Sequence, residues 1–169
     1  MNTTPSNAAE ANSTAAFFRL VNSPLKFSLF VLKKLPAAYL AGLRITNADE
    51  GRAVVTVPFK WFTQNPFRST YFACLSMAAE MSTGLLAMAN IYGRKPGVSM
   101  LVVDMKAQFH KKAMDITSFT CNDGLLIKEA VNRAIITKEA QTITVYSEGK
   151  NREGELIAAF WFTWSFKAK

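Results

Sequence analysis

Asn65 to Gly84 reads NPFRSTYFACLSMAAEMSTG, a loop with Pro66 and Ser69 that runs into a helix of almost wholly small and apolar residues. Ala73, Cys74, Leu75, Met77, Ala78, Ala79 and Met81 leave that helix with no polar side to show to water, as expected of a helix enclosed by the rest of its domain. One carboxylate, Glu80, sits inside it. A carboxylate taken out of water without a partner is costly or has its pKa driven upward. Glu80 is therefore either paired by another part of the chain or put to use. Ala73, Ser76, Met77, Thr83 and Gly84 lie three, four or seven residues from it and share its face. That face is mostly small, which lets the helix approach a sheet or a second subunit while leaving room for a ligand.

Outward from this helix the chain reads as strands. Upstream, Tyr39 to Thr46 and Arg52 to Phe59 are predicted strands joined at Asn47-Ala48-Asp49-Glu50-Gly51, with β-branching from Val54 to Val57. Downstream, the helix is predicted to fade before Gly93, and Arg94-Lys95-Pro96-Gly97 forms a loop. Ser99 to Lys112 is a long strand with Leu101, Val103, Met105, Ala107 and Phe109 on one side. Ile116 to Cys121 is another, ended by the turn Asn122-Asp123-Gly124, and Leu125 to Ala134 is a short helix. Thr137 to Glu148 and Glu155 to Phe166 form a hairpin through Gly149-Lys150-Asn151-Arg152. The last strand is apolar on both faces, so it is covered on both. The order predicts an α+β domain, an antiparallel sheet wrapped around one long central helix.

The chain has 169 residues, one domain's length, with half of them hydrophobic and 19% charged, which excludes a disordered chain. Residues 1–14 are polar and small and are expected to be a flexible tail. Residues 15–35 are helical, broken around Asn22-Ser23-Pro24, and residues 36–169 form the sheet domain. The segment from 17 to 35 either packs on the domain or lies on anionic lipid, since aromatics and lysines at this spacing suit an interface. A formal charge of +8 favours polyanionic partners, but the basic residues are scattered, so no nucleic-acid footprint is expected. Cys74 and Cys121 are far apart in apolar surroundings and are expected to be reduced thiols in a cytoplasmic protein. Cys74 is read as a buried thiol rather than a nucleophile, because the single histidine, His110, belongs to another element. No signal peptide and no uninterrupted apolar span of bilayer length is read. No metal-ligand spacing or Gly-rich phosphate loop occurs, so neither a metal nor a bound cofactor is expected.

Asn65, five residues, Tyr71-Phe72-Ala73, six residues and Glu80 resemble the active-site stretch of hotdog-fold acyl-CoA thioesterases of the phenylacetate-pathway type. That family carries Asn, five residues, His-Gly-Gly, six residues, then Asp or Glu. Asp49-Glu50-Gly51 with Ala53-Val54-Val55-Thr56 is similar to its first hairpin, and Met105-Lys106-Ala107-Gln108-Phe109 to its long third strand. The likeness runs over residues 38–166 and is closest to a branch in which Tyr-Phe-Ala replaces His-Gly-Gly. It implies a hotdog fold of six antiparallel strands around a central helix, with an extra N-terminal helical segment. It further implies a homodimer with sites shared between subunits, and leaves open whether two dimers pair into a tetramer. Glu80 is then the general base or nucleophile of thioester hydrolysis. Asn65 and the amides of Tyr71, Phe72 and Ala73 orient the carbonyl, with Ser76, Met77 and Thr83 beside the substrate. His110, Lys111 and Lys112 either meet coenzyme A phosphates or form a solvated strand end. The substrate implied is an acyl-CoA or acyl-carrier thioester. The competing expectation is a non-catalytic hotdog module that binds an acyl chain or an acyl-carrier partner.

Overall fold

The computed structural model describes residues 5–169, with side chains from Asn12 onward. Of the expected tail, residues 1–4 lie outside the described residues. From Pro5 the remainder is helical: α1 spans Pro5–Val21. Its alanines favour the helix, and Phe17, Phe18 and Val21, buried in the core, fix it to the domain. The chain then bends by 87° into α2, Pro24–Lys34. Pro24 and Pro36 each stand at a helix start, where a missing N–H costs nothing.

The strand predicted from Tyr39 is corrected by the structure. Tyr39 and Leu40 belong to a short helix, α3 (Pro36–Ala41), closed by Gly42 at φ +78°, whose N–H returns to the carbonyls of Ala38 and Tyr39. Pro36 sets the first turn and a left-handed glycine ends it, so the strand β1 begins only at Arg44 and runs to Ala48. Asp49 Oδ1 accepts the N–H groups of Gly51 and Arg52 and turns the chain into β2, Ala53–Val57.

A one-turn 3-10 helix at Trp61–Thr63 precedes the central helix α4, Phe72–Ile91. Then come β3 (Val98–Phe109), β4 (Thr117–Cys121), α5 (Gly124–Thr137), β5 (Gln141–Lys150) and β6 (Leu156–Ala168). The six strands form one antiparallel sheet in the order β1-β2-β4-β5-β6-β3. The final hairpin turns at residues 151–155, later than predicted, because Asn151 Oδ1 accepts the N–H groups of Glu153 and Glu155. The sheet wraps α4, with α5 packed against α4, β5 and β6: a hotdog fold. By length and composition α4 would span a bilayer, but most of it is buried as the core helix.

Phe160, Phe162, Trp164 and Phe166 of β6 point inward and are buried, with Phe119 of β4 against Phe160 at 5.6 Å between ring centroids. Ser82 of α4 and Ser147 of β5, both buried, share a 2.8 Å hydrogen bond that ties helix to sheet. The predicted apolar face of β3 is corrected by a bulge at Val103. Met100 and Val102 pair with Phe166 and Trp164, whereas Met105 and Ala107 pair with Phe162 and Phe160. One extra residue shifts the alternation, so Leu101 and Val103 face outward and are 65% and 51% exposed. β3 is also an edge strand, unpaired along one side.

Candidate active site

Asn65 opens a tight loop and its side chain is spent within it. Its Oδ1 accepts the N–H groups of Phe67 (3.0 Å) and Ser69 (3.2 Å), and its Nδ2 donates to Ser69 Oγ (3.1 Å). Arg68, at φ +58°, takes the left-handed position of this loop. Tyr71 follows with φ −61° and ψ 135°, extended backbone open to any residue, and α4 starts at Phe72. Neither Phe72 nor Ala73 has positive φ, so this turn makes no demand for glycine. No described residue accepts from the N–H groups of Phe72 and Ala73. Two backbone donors at the positive end of a 20-residue helix therefore face outward.

Phe72, at the head of the helix, lines a cleft of about 460 Å³. Asn65, Tyr71, Phe72, His110, Lys111 and Lys112 all line it, so the structure brings together the predicted loop and the strand end read as either phosphate-binding or solvated. Lys111 is engaged by Glu155, and that contact holds the Glu155 carboxyl below the usual glutamate range. Among the described residues, Lys112 has no ion pair. Sequence reasoning missed Thr70, Leu75, Phe109 and Ala113, which also line the cleft. Thr70 is buried with its hydroxyl unpartnered, while its N–H donates to Ala113 O at 2.7 Å. Its place between Asn65 and Tyr71 was a usable signal. Phe109 reaches the cleft through the pairing of β3 with β6, and Ala113 through its hydrogen bond with Thr70.

Glu80 and Thr83 lie deeper along α4 and do not line the cleft, nor do Ala73, Ser76 and Met77. Glu80 lies five positions beyond Leu75, the last helical residue in the cleft wall, a rise of about 7.5 Å along the axis. No hydrogen bond or ion pair from a described residue reaches the Glu80 carboxylate, and burial alone pushes its pKa above the ordinary glutamate value. The space a Cβ at Gly84 would fill is bounded by Glu80 Oε1 at 3.1 Å and by Cζ2 and Cη2 of Trp164 at 3.5 and 3.6 Å. Trp164 Nε1 donates to Thr83 Oγ1 (3.0 Å), which donates to the Glu80 carbonyl (2.9 Å). Thr83 thus braces the helix against β6. Ser76 returns its hydroxyl to the Phe72 carbonyl at 3.0 Å.

Both cysteines are free and buried. Burial raises the Cys74 thiol, with Lys60 partly offsetting it, and pushes Cys121 up to about 12. Since the thiolate is the reactive form, both react with a disulfide reagent more than about a hundredfold slower in the native protein than in denaturant. Rapid native modification of Cys74, followed by absorbance, would contradict this.

A family model described as "Domain of unknown function (DUF4442)" matches residues 24–165. No curated protein matches the sequence. Among solved structures, the fold is similar to PA5026 from Pseudomonas aeruginosa, a protein of unknown function described as a probable thioesterase. The TM-score is 0.72 at 17% identity, over 86% of this chain and 97% of that one. Thioesterase HI1161 from Haemophilus influenzae matches with a TM-score of 0.62 at 14% identity, over 86% and 91% of the two chains. The E. coli PaaI protein of the phenylacetic acid degradation operon matches at 0.58 and 16% identity, over 89% and 96%.

Proposed function

Since this chain belongs to the DUF4442 family and carries the hotdog fold, we propose that it is an acyl-CoA thioesterase in which Glu80 is general base or nucleophile. We read it as a branch of the phenylacetate-pathway type with Tyr71-Phe72-Ala73 in place of His-Gly-Gly. The observation that carries this is the pairing of a partnerless, desolvated carboxylate with two unclaimed amides on one helix. Backbone donors aimed at a developing oxyanion stabilise hydrolysis, and a base with raised pKa works closer to neutrality. Two structurally similar proteins named for thioesterase activity support the reading at the level of fold.

The distance between the cleft and Glu80 favours a site shared by two subunits, the cleft of one meeting the carboxylate of the other. The exposed edge of β3, with its outward Leu101 and Val103, suits the pairing of two copies. Light scattering is expected to report a dimer. Leu101→Asp with Val103→Asp, exposed positions outside the cleft, is expected to weaken it about a hundredfold or more and to abolish turnover. A wild-type monomer would remove the shared site.

His110 and Lys112 in the cleft wall are the side chains proposed to meet coenzyme A phosphates, with Lys111 held back by Glu155. The thioester is substrate, and no resident cofactor is invoked. The two buried thiols fit a cytoplasmic setting. The test is release of free coenzyme A from acyl thioesters across chain lengths. The second reading, a non-catalytic acyl-chain or acyl-carrier module, is favoured by the closed hydrogen bonding of Asn65. Tight acyl-CoA binding without thiol release would select it.

A further inference from the structure

Helix α2 presents two opposed faces. Phe27 and Val31 are buried against the domain, whereas Leu25, Leu29 and Leu32 form a stripe on the far side, 73%, 60% and 46% exposed. Leu35 and Leu40, also exposed, carry this surface onto α3. One exposed leucine is ordinary, but five on two adjoining helices make a patch that needs an occupant. The chain bends by 87° between α1 and α2.

The charge around the stripe says what that occupant is. Lys26 and Lys33, seven residues apart, run along one flank, and Lys34 stands at the helix end. From residue 11 to residue 48 the chain holds Arg19, Lys26, Lys33, Lys34 and Arg44 and no Asp or Glu. None of the three lysines makes an ion pair among the described residues. A second copy placed on this face would set lysine against lysine with no acid in the segment to neutralise them. An anionic lipid surface accepts both features, leucines entering the acyl boundary and ammonium groups reaching headgroup phosphates. α3 also packs beside the 3-10 helix that carries Trp61, 84% exposed, and an exposed indole suits a membrane–water boundary.

We infer that the α2–α3 face docks on an anionic bilayer, with Trp61 at its rim. The inference stands apart from any hydrolytic activity. The full chain is sedimented with phosphatidylserine-containing and with pure phosphatidylcholine vesicles across a salt series. Binding to the anionic vesicles alone, weakening as salt rises, is the expected result. Each of Lys26→Ala, Lys33→Ala and Lys34→Ala is expected to lower the partition coefficient about fivefold. The triple change Leu25→Ser, Leu29→Ser, Leu32→Ser is expected to abolish binding while thermal unfolding stays unchanged, because these side chains lie outside the core. No sedimentation of the wild type with anionic vesicles overturns the inference. So does a leucine variant that changes the mass in light scattering yet still binds vesicles, which would assign the stripe to a second copy.

Discussion

On the proposed function, Glu80→Gln is expected to lower thioester hydrolysis by about 10²- to 10⁴-fold, the range for removing a positioned general base, and to leave the fold intact. Glutamine keeps the shape beside Gly84 and Trp164 but can neither take a proton from water nor attack a carbonyl. The same change has a signature in stability. Burial raises the folded-state pKa of Glu80 above its unfolded value, so the folded protein holds the proton more tightly than the unfolded chain does. The native state accordingly gains stability as pH falls through the raised pKa, and the gain is complete below the ordinary glutamate value. Above that window the wild type carries a half-buried charge that glutamine lacks. Glu80→Gln should be the more stable protein at neutral pH, by about 1 kcal/mol, with the difference closing in acid. Turnover should fall on the acid side through the same raised pKa, as the base becomes protonated. Turnover within twofold of wild type in a thiol-release assay would sink the catalytic assignment. A variant that is inactive but less stable at neutral pH would instead mark Glu80 as a structural partner.

Phe160→Ala is expected to cost about 3–5 kcal/mol, the largest stability effect of a single core substitution here. The ring is fully buried and touches three others, Phe109 at 5.7 Å, Phe119 at 5.6 Å and Phe162 at 5.9 Å between centroids. Its removal leaves a cavity that strands cannot close without breaking the pairing of β6 with β3 and β5. For a chain of this length that corresponds to a fall in Tm of roughly 10 °C. Phe160→Leu, which refills most of the volume, should cost markedly less. Because Phe109 both packs on Phe160 and lines the cleft, Phe160→Ala should also raise KM at temperatures where the protein remains folded. Thermal unfolding with activity measured well below the transition separates the two effects. A change in Tm under about 3 °C would show that this cluster is not the centre of the core.

The central helix was legible because an unbroken run of small apolar residues admits one environment, the interior of a wrapped sheet. The β-branched runs and turn residues located most strands for a similar local reason. Two failures have different causes, one local and one not. PAAYLAG lacks β-branching and has a proline to start a helix and a glycine to stop it, so residues 39–41 coil instead of extending. In β3 a single bulge at Val103, set by the distant pairing with β6, put Leu101 and Val103 on the opposite side from Met105, Ala107 and Phe109, with which alternation groups them.

For the site, sequence identified Glu80 as an acid without a packing excuse, and the run from Asn65 to Tyr71 as a loop at a helix start. These follow from composition and spacing within one stretch. Only the tertiary structure decided that the Asn65 amide closes its own loop, and that the amides of Phe72 and Ala73 stay unclaimed. It alone showed that His110 and Lys112 share their cleft, with Glu80 more than a turn beyond it. Hydrogen-bond partners and solvent exclusion depend on which distant strands meet, and sheet order and register settle that. What a residue could do was written along the chain, and what each has left to do was decided by the neighbours that the fold brought to it.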